Sequence, residues 1–194
     1  MKKLTVASIA LSLFISPAAF ASFHLWQIGE VYSDSTGSVQ FIELFTTFAG
    51  QDFLSTHTVT SNSHSVTLLS DLVGNTANQH VLLATPGYFA LSGVPAADYN
   101  LGVNNFFNTS ADTINFAGVN TFTFTAGELP LDGLNSLNRA YNSAVFTTAR
   151  NSPDNFAGAS GTVPTPEPST GILFGATLLL AFCAGTRYRA HRSA

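Results

Sequence analysis

The sequence predicts an all-β domain, a sandwich of two sheets, between two hydrophobic terminal segments. Charged residues are only 9% of the chain, whereas Phe alone occurs 17 times. Short runs rich in Thr, Ser, Val and Phe alternate with Gly and Asn breaks, a composition that favours strands and turns. Seven or eight short strands at this spacing are typical of a sandwich rather than of alternating strands and helices.

The strands are predicted from their periodicity. Residues 121–125 alternate Phe and Thr, so that one face is apolar and the other solvated. Residues 25–32 and 39–48 are longer apolar strands, joined by a turn in which Gly37 takes a positive φ. Five more strands are expected at 56–60, 65–69, 80–84, 113–116 and 136–139, and a short helix is expected over residues 96–100.

Residues 1–21 have the three parts of a secretory signal peptide. A basic start is followed by an apolar run that is too short for a permanent membrane helix, and then by a small-x-small cleavage site. The cleavage-site residues are Ala19, Ala21 and Ser22. The sequence therefore predicts that the domain is exported.

Residues 171–186 are predicted to form a transmembrane helix. Sixteen residues at about 1.5 Å per residue reach roughly 24 Å, short of the ~30 Å hydrocarbon core. Arg187, Arg189 and Arg192 follow, and their long side chains can extend the span by reaching the interface. Residues 187–194 are expected to form a basic cytoplasmic tail, which places the domain outside.

The exported part is acidic. Residues 22–161 are predicted to form one domain, followed by a Pro-rich tether over residues 162–170. Two arginines stand against ten acidic residues in residues 22–166, a formal charge of −8. This balance argues against nucleic acid as a partner, which needs a basic footprint. Cys183 is the only cysteine and lies in the C-terminal apolar run, so disulfide and thiol chemistry are excluded for the domain.

The tether carries a recognisable motif. Pro166, Glu167, Pro168, Ser169 and Thr170 precede the apolar segment and the basic tail, and this order of parts resembles the PEP-CTERM sorting signal. The basic tail departs from the family pattern because its arginines are spread out. The resemblance implies processing by a membrane-embedded exosortase, removal of the anchor, and delivery to the cell surface or extracellular matrix.

The exported domain resembles the lamin tail domain family. The likeness lies in four patches of the chain: residues 28–33 with Gly37 and 41–44, residues 51–54 and 81–84, residues 129–133 and 136–139, and residues 152–156. The resemblance implies an immunoglobulin-like β-sandwich that acts through interactions. It implies no catalytic site.

Two acidic residues are candidates for chemistry. Glu30 and Glu43 lie on adjacent predicted strands and could face each other. Enzymes that hydrolyse glycosides use such a pair of carboxylates as their catalytic groups. The alternative, which we favour, is a structural role, because a buried carboxylate needs a partner. We expect Glu43 to form an ion pair with Arg139.

Metal sites and sugar-stacking aromatic residues have weaker support. The histidines lack the spacing of metal-binding motifs, and no metal site is predicted. Six aspartates lie in turn-like contexts, which leaves one weak calcium site as an alternative to ordinary turn formation. Most Phe side chains are expected in the core, with an exposed aromatic strip for sugar stacking as the alternative.

These observations predict an exported, non-catalytic surface or matrix protein without a cofactor. Its expected partners are exosortase during processing, the membrane through the C-terminal helix, and extracellular polysaccharide or surface proteins. Two alternatives remain open: an exported polysaccharide hydrolase that uses Glu30 and Glu43, and a calcium-dependent binding module.

Overall fold

The computed structural model describes residues 22–164. The signal peptide, the sorting motif, the membrane helix and the basic tail predicted above lie outside these residues, apart from Ser22. Within residues 22–164, no helix is long and apolar enough to cross a membrane. The described elements, in chain order, are β1 (Gln27–Ser33), β2 (Gln40–Thr46), β3 (Thr58–Thr60), β4 (Ser65–Thr67), β5 (Gln79–Ala84), α1 (Pro86–Phe89), β6 (Tyr99–Asn100), β7 (Asp112–Phe116), β8 (Asn120–Phe124), β9 (Asn135–Arg139) and β10 (Phe146–Arg150).

The strands form two sheets. One sheet has the order β10-β9-β1-β2-β5-β6, and the other has the order β4-β3-β7-β8. Neighbouring strands are antiparallel except β5 and β6, which are parallel. The all-β prediction is confirmed, and the two sheets give a sandwich-like architecture.

The main core lies between the sheets. In β8, Phe122 and Phe124 are buried while the intervening Thr123 is exposed, as the period-two pattern predicts. The six-stranded sheet contributes apolar side chains to the same cluster: Ile28, Val31, Ile42, Leu44, Val81, Leu83 and Leu137. Trp26 is fully buried there, and its indole N–H donates to the carbonyl of Gln51 at 2.6 Å.

The outer face of the six-stranded sheet is covered by a second apolar cluster and by the chain that follows β10. A second apolar cluster forms there from residues that alternate with the first set: Tyr32, Phe41, Leu82 and Ala84, packed with Tyr88 and Val163. Residues 151–163, called the closing segment from here on, run across this face and bring Val163 onto it. This face carries the candidate site.

The eight strands predicted from the sequence each overlap a strand of the structure. The helix predicted over residues 96–100 is wrong, because Tyr99 and Asn100 pair with β5 as the edge strand β6. β10 was not predicted, since four of its five residues are exposed and its sequence lacks an apolar alternation. The turn between β1 and β2 has Gly37 at φ +72°, as expected.

Candidate functional site

A pocket of about 330 Å³ opens on the outer face of the six-stranded sheet. Its lining combines acidic, basic and aromatic side chains: Glu30, Glu43, Phe45, His80, Asn138, Arg139, Tyr141, Ser152 and Asp154. Strands β1, β2, β5 and β9 supply part of this set, and the closing segment supplies Ser152 and Asp154. The pocket is therefore built by the sheet and its cover together.

A β-bulge turns Glu30 towards this pocket. The register between β1 and β2 shifts between Ile28 and Glu30, at Gly29. Ile28 and Val31 both pack in the inner core. Because the bulge adds one residue between them, the side chain of Glu30 lies on the outer face instead of on the same face as Ile28. Glu30 then pairs directly with Glu43 across the two strands. The expectation that these two glutamates lie on neighbouring strands is met.

Glu30 is nearly inaccessible, with 2% of its surface exposed. Its carboxylate accepts hydrogen bonds from the Ser136 hydroxyl at 2.6 Å, from the Ser152 backbone N–H at 2.9 Å and from the Ser152 hydroxyl at 2.9 Å. Burial raises the pKa of Glu30, and these three bonds oppose the rise. Glu30 thus ties the start of the closing segment to the sheet.

Glu43 binds the same closing segment two residues later, at Asp154 instead of Ser152. One of its oxygens accepts from the Asp154 backbone N–H at 2.7 Å, and the other lies 2.6 Å from His80 Nδ1. Burial raises the pKa of Glu43 to about 7, against the lowering effect of the His80 contact. Burial lowers the pKa of His80, but the hydrogen bond and charge of Glu43 outweigh it and the net shift is upward. A short hydrogen bond therefore joins Glu43 to His80.

Arg139 has other partners than the one predicted. Its guanidinium donates to the carbonyl oxygens of Ile28 and Thr121 and to the side chain of Asn120. The same group lies 5.3 Å from the centre of the Phe122 ring. Glu43 pairs with His80 instead, and among residues 22–164 Arg139 forms no ion pair with a carboxylate. The predicted ion pair between Glu43 and Arg139 is therefore wrong. Both residues line the pocket, but the guanidinium of Arg139 donates its hydrogen bonds mainly to backbone carbonyl oxygens.

Asp154 differs from the other aspartates that the sequence analysis considered. Its Oδ1 is buried and has no hydrogen-bond partner among the described residues. By contrast, Asp34, Asp71, Asp98, Asp112 and Asp132 each accept backbone N–H groups. Hydrogen bonds to the backbone, some of them within turns, therefore account for those five.

Aromatic rings form part of the pocket wall. The rings of Phe45 and Tyr141 lie 5.9 Å apart in an edge-to-face arrangement, and Phe48 lies 6.2 Å from Tyr141. Phe45 also contacts the His80 ring, with a centroid distance of 4.6 Å. Phe48 is 46% exposed. Apolar ring faces thus stand beside the hydrogen-bonding groups of the pocket.

Sequence reasoning missed the two residues that complete this site. His80 was set aside because it belongs to no motif, and Asp154 was counted with the turn aspartates. The signal that could have found His80 is the strand alternation of β5, which places it on the same face as Leu82 and Ala84. No protein-family model matches the chain, and neither a curated protein nor a solved structure matches it.

Proposed function

We propose that this chain is an exported, non-catalytic surface or matrix protein that binds extracellular polysaccharide through the pocket on its outer face. In this proposal the domain is an immunoglobulin-like, lamin-tail-like sandwich. Residues 1–21 direct export, and the PEP-CTERM signal at Pro166–Thr170 directs processing by exosortase before release to the surface. The basis for the sorting part is the order of the sequence segments described above.

The observation that carries the binding proposal is the aromatic wall of the pocket. Sugars present apolar C–H faces that pack on aromatic rings, and hydroxyl groups that need donors and acceptors beside them. Phe45 and Tyr141 supply the rings, while Asn138, His80 and Arg139 line the same pocket. A neutral polymer suits the net negative charge of the domain, since it carries no charge to repel.

The positions of the two glutamates support a structural role for them. Glu30 accepts three internal hydrogen bonds and Glu43 accepts one besides its contact with His80. In a glycosidase, the acid carboxyl group donates its proton to the glycosidic oxygen. The second carboxylate must contact the anomeric carbon as a nucleophile or a water molecule as a general base. Carboxylates that hold the closing segment are poorly placed for either task. We therefore put binding ahead of hydrolysis.

One observation favours hydrolysis as the second candidate. Glu30 and Glu43 are direct cross-strand neighbours, and burial raises the pKa of both, that of Glu43 to about 7. A carboxylic acid with such a pKa can serve as a general acid near neutral pH. In that case Glu43→Gln would abolish release of reducing ends from the polysaccharide, and Tyr141→Ala would only reduce it.

The binding proposal is tested by native electrophoresis in gels that contain extracellular polysaccharide purified from the producing cells. The full-length chain, purified in mild detergent, should be retarded by the polymer. Tyr141→Ala and Phe45→Ala should each remove most of the retardation. Phe53→Ala is the matched control, because Phe53 is 52% exposed and does not line the pocket. Equal mobility with and without polymer, or equal retardation of all variants, would refute the proposal.

A further inference from the structure

Three residues with metal-binding side chains come together at the pocket. Glu43 on β2, His80 on β5 and Asp154 in the closing segment each place one nitrogen or oxygen atom within 4.8 Å of the others. They are 37 and 111 positions apart along the chain from Glu43. No sequence motif predicts such a set, since only the folded sheet and its cover bring the three together.

The orphaned oxygen of Asp154 is a second observation that points to a cation at this cluster. A buried carboxylate oxygen without a partner is unfavourable, because it has lost its hydration and gained no hydrogen bond in exchange. The acids of Glu30 and Glu43 lie close enough to affect the charge state of the cluster. The nearest guanidinium, that of Arg139, is bound to backbone carbonyls. The pocket thus holds three carboxylates against one imidazole.

We propose that Glu43, His80 and Asp154 bind one transition-metal dication, of the zinc class, at the wall of the pocket. The donor set decides the class of ion. One imidazole nitrogen with two carboxylates suits zinc and its neighbours, which take nitrogen and oxygen ligands in low coordination numbers. Calcium requires six to eight oxygen ligands, more than the three residues provide. The open pocket leaves the remaining coordination positions to water.

His80 Nδ1 and the Glu43 oxygen are 2.6 Å apart, joined by a hydrogen bond. Two ligands of one tetrahedral zinc ion stand about 3.3 Å apart, given bonds of about 2.0 Å. An ion bound between them would therefore move the two ligand atoms apart by less than 1 Å. The carboxylate of Asp154 would supply the third ligand atom.

The surroundings fix the ligands in place. The second oxygen of Glu43 accepts the Asp154 backbone N–H at 2.7 Å, which links two of the ligands directly. The Phe45 ring packs on His80 and limits the rotation of the imidazole. Contacts of this kind around the ligands tune the affinity of metal sites. This site goes beyond the polysaccharide proposal and does not depend on it.

The test is isothermal titration of the chelator-treated, full-length chain in mild detergent with zinc chloride. We expect a site with one zinc per chain and a rise of the melting temperature on zinc addition. His80→Gln and Asp154→Asn should each weaken that site at least tenfold and remove the thermal shift. His57→Gln is the matched control, because His57 stacks on Phe23 away from the pocket and should leave binding unchanged.

The outcomes separate this proposal from the others. Failure of zinc to bind, or binding with wild-type affinity in both ligand variants, would overturn it. Near-ultraviolet circular dichroism of each variant establishes that loss of binding does not reflect unfolding. Because no sugar is present, a negative result leaves the polysaccharide proposal untouched, and failed polysaccharide binding leaves the metal result intact.

Discussion

Replacing Glu30 by alanine should loosen the closing segment and lower the stability of the whole domain. Three hydrogen bonds to the carboxylate are lost, from Ser136 and from two groups of Ser152. Bonds to charged acceptors contribute about 1.5 kcal/mol or more each, a gross loss of roughly 4–5 kcal/mol. The raised pKa of Glu30 reports a burial cost that the variant no longer carries. The expected net loss is about 3 kcal/mol.

The assay is urea unfolding of the full-length chain in mild detergent, followed by the fluorescence of the single, fully buried Trp26. A loss of about 3 kcal/mol corresponds to a urea midpoint lower by roughly 1–3 M, since the free energy of unfolding falls by about 1–3 kcal/mol per molar urea. Glu30→Gln keeps the size and an acceptor oxygen, so it should recover most of the stability. Glu128→Ala is the exposed control: its carboxylate accepts the Thr125 backbone N–H at the surface, so this variant should lose much less stability than Glu30→Ala. A wild-type midpoint for Glu30→Ala would refute the reasoning.

Three further predictions follow from single contacts. The pKa of Glu43 is raised to about 7 and that of His80 is also raised, so the folded state binds more protons than the unfolded chain. The free energy of unfolding should therefore fall as pH rises from about 5 to 8, by up to about 1.4 kcal/mol per pH unit for each proton. Glu43→Gln should flatten this slope in urea titrations. Gly37→Ala should lower the free energy of unfolding by about 1–3 kcal/mol in the same assay, because φ is +72° and an added Cβ would collide with the Asn105 side chain. The double variant that also carries Asn105→Ala should recover part of this loss. Trp26→Phe should destabilise by about 1–3 kcal/mol, measured by circular dichroism, because the carbonyl of Gln51 loses its indole donor.

Strand positions followed from the sequence because they depend on local patterns, either an alternation of apolar and polar residues or a short apolar run between turns. The Phe–Thr alternation of β8 and the turn at Gly37 needed no knowledge of the rest of the chain. β6 and β10 did not follow, because edge strands of two and five residues are defined by their pairing with β5 and β9 rather than by their own pattern.

The site was harder to predict than the fold, for a physical reason. Glu30 and Glu43 were paired correctly from strand adjacency, yet the bulge at Gly29 determines which face Glu30 occupies. The predicted partner of Glu43 was wrong because Arg139 lies on β9, separated from β2 by β1, and donates its hydrogen bonds to backbone carbonyls such as that of Ile28. His80 and Asp154 enter the site only through sheet register and the path of the closing segment, which are long-range properties.

The most direct test of the proposed export and sorting is intact-mass analysis of the protein from cell surface and medium, with and without active exosortase. The account predicts a chain that starts at Ser22 and, with exosortase, lacks the residues that follow the motif at Pro166–Thr170. Without exosortase, the C-terminal segment should remain and the protein should stay with the membrane. An untrimmed chain of 194 residues, found in the cytosol of either strain, would contradict it.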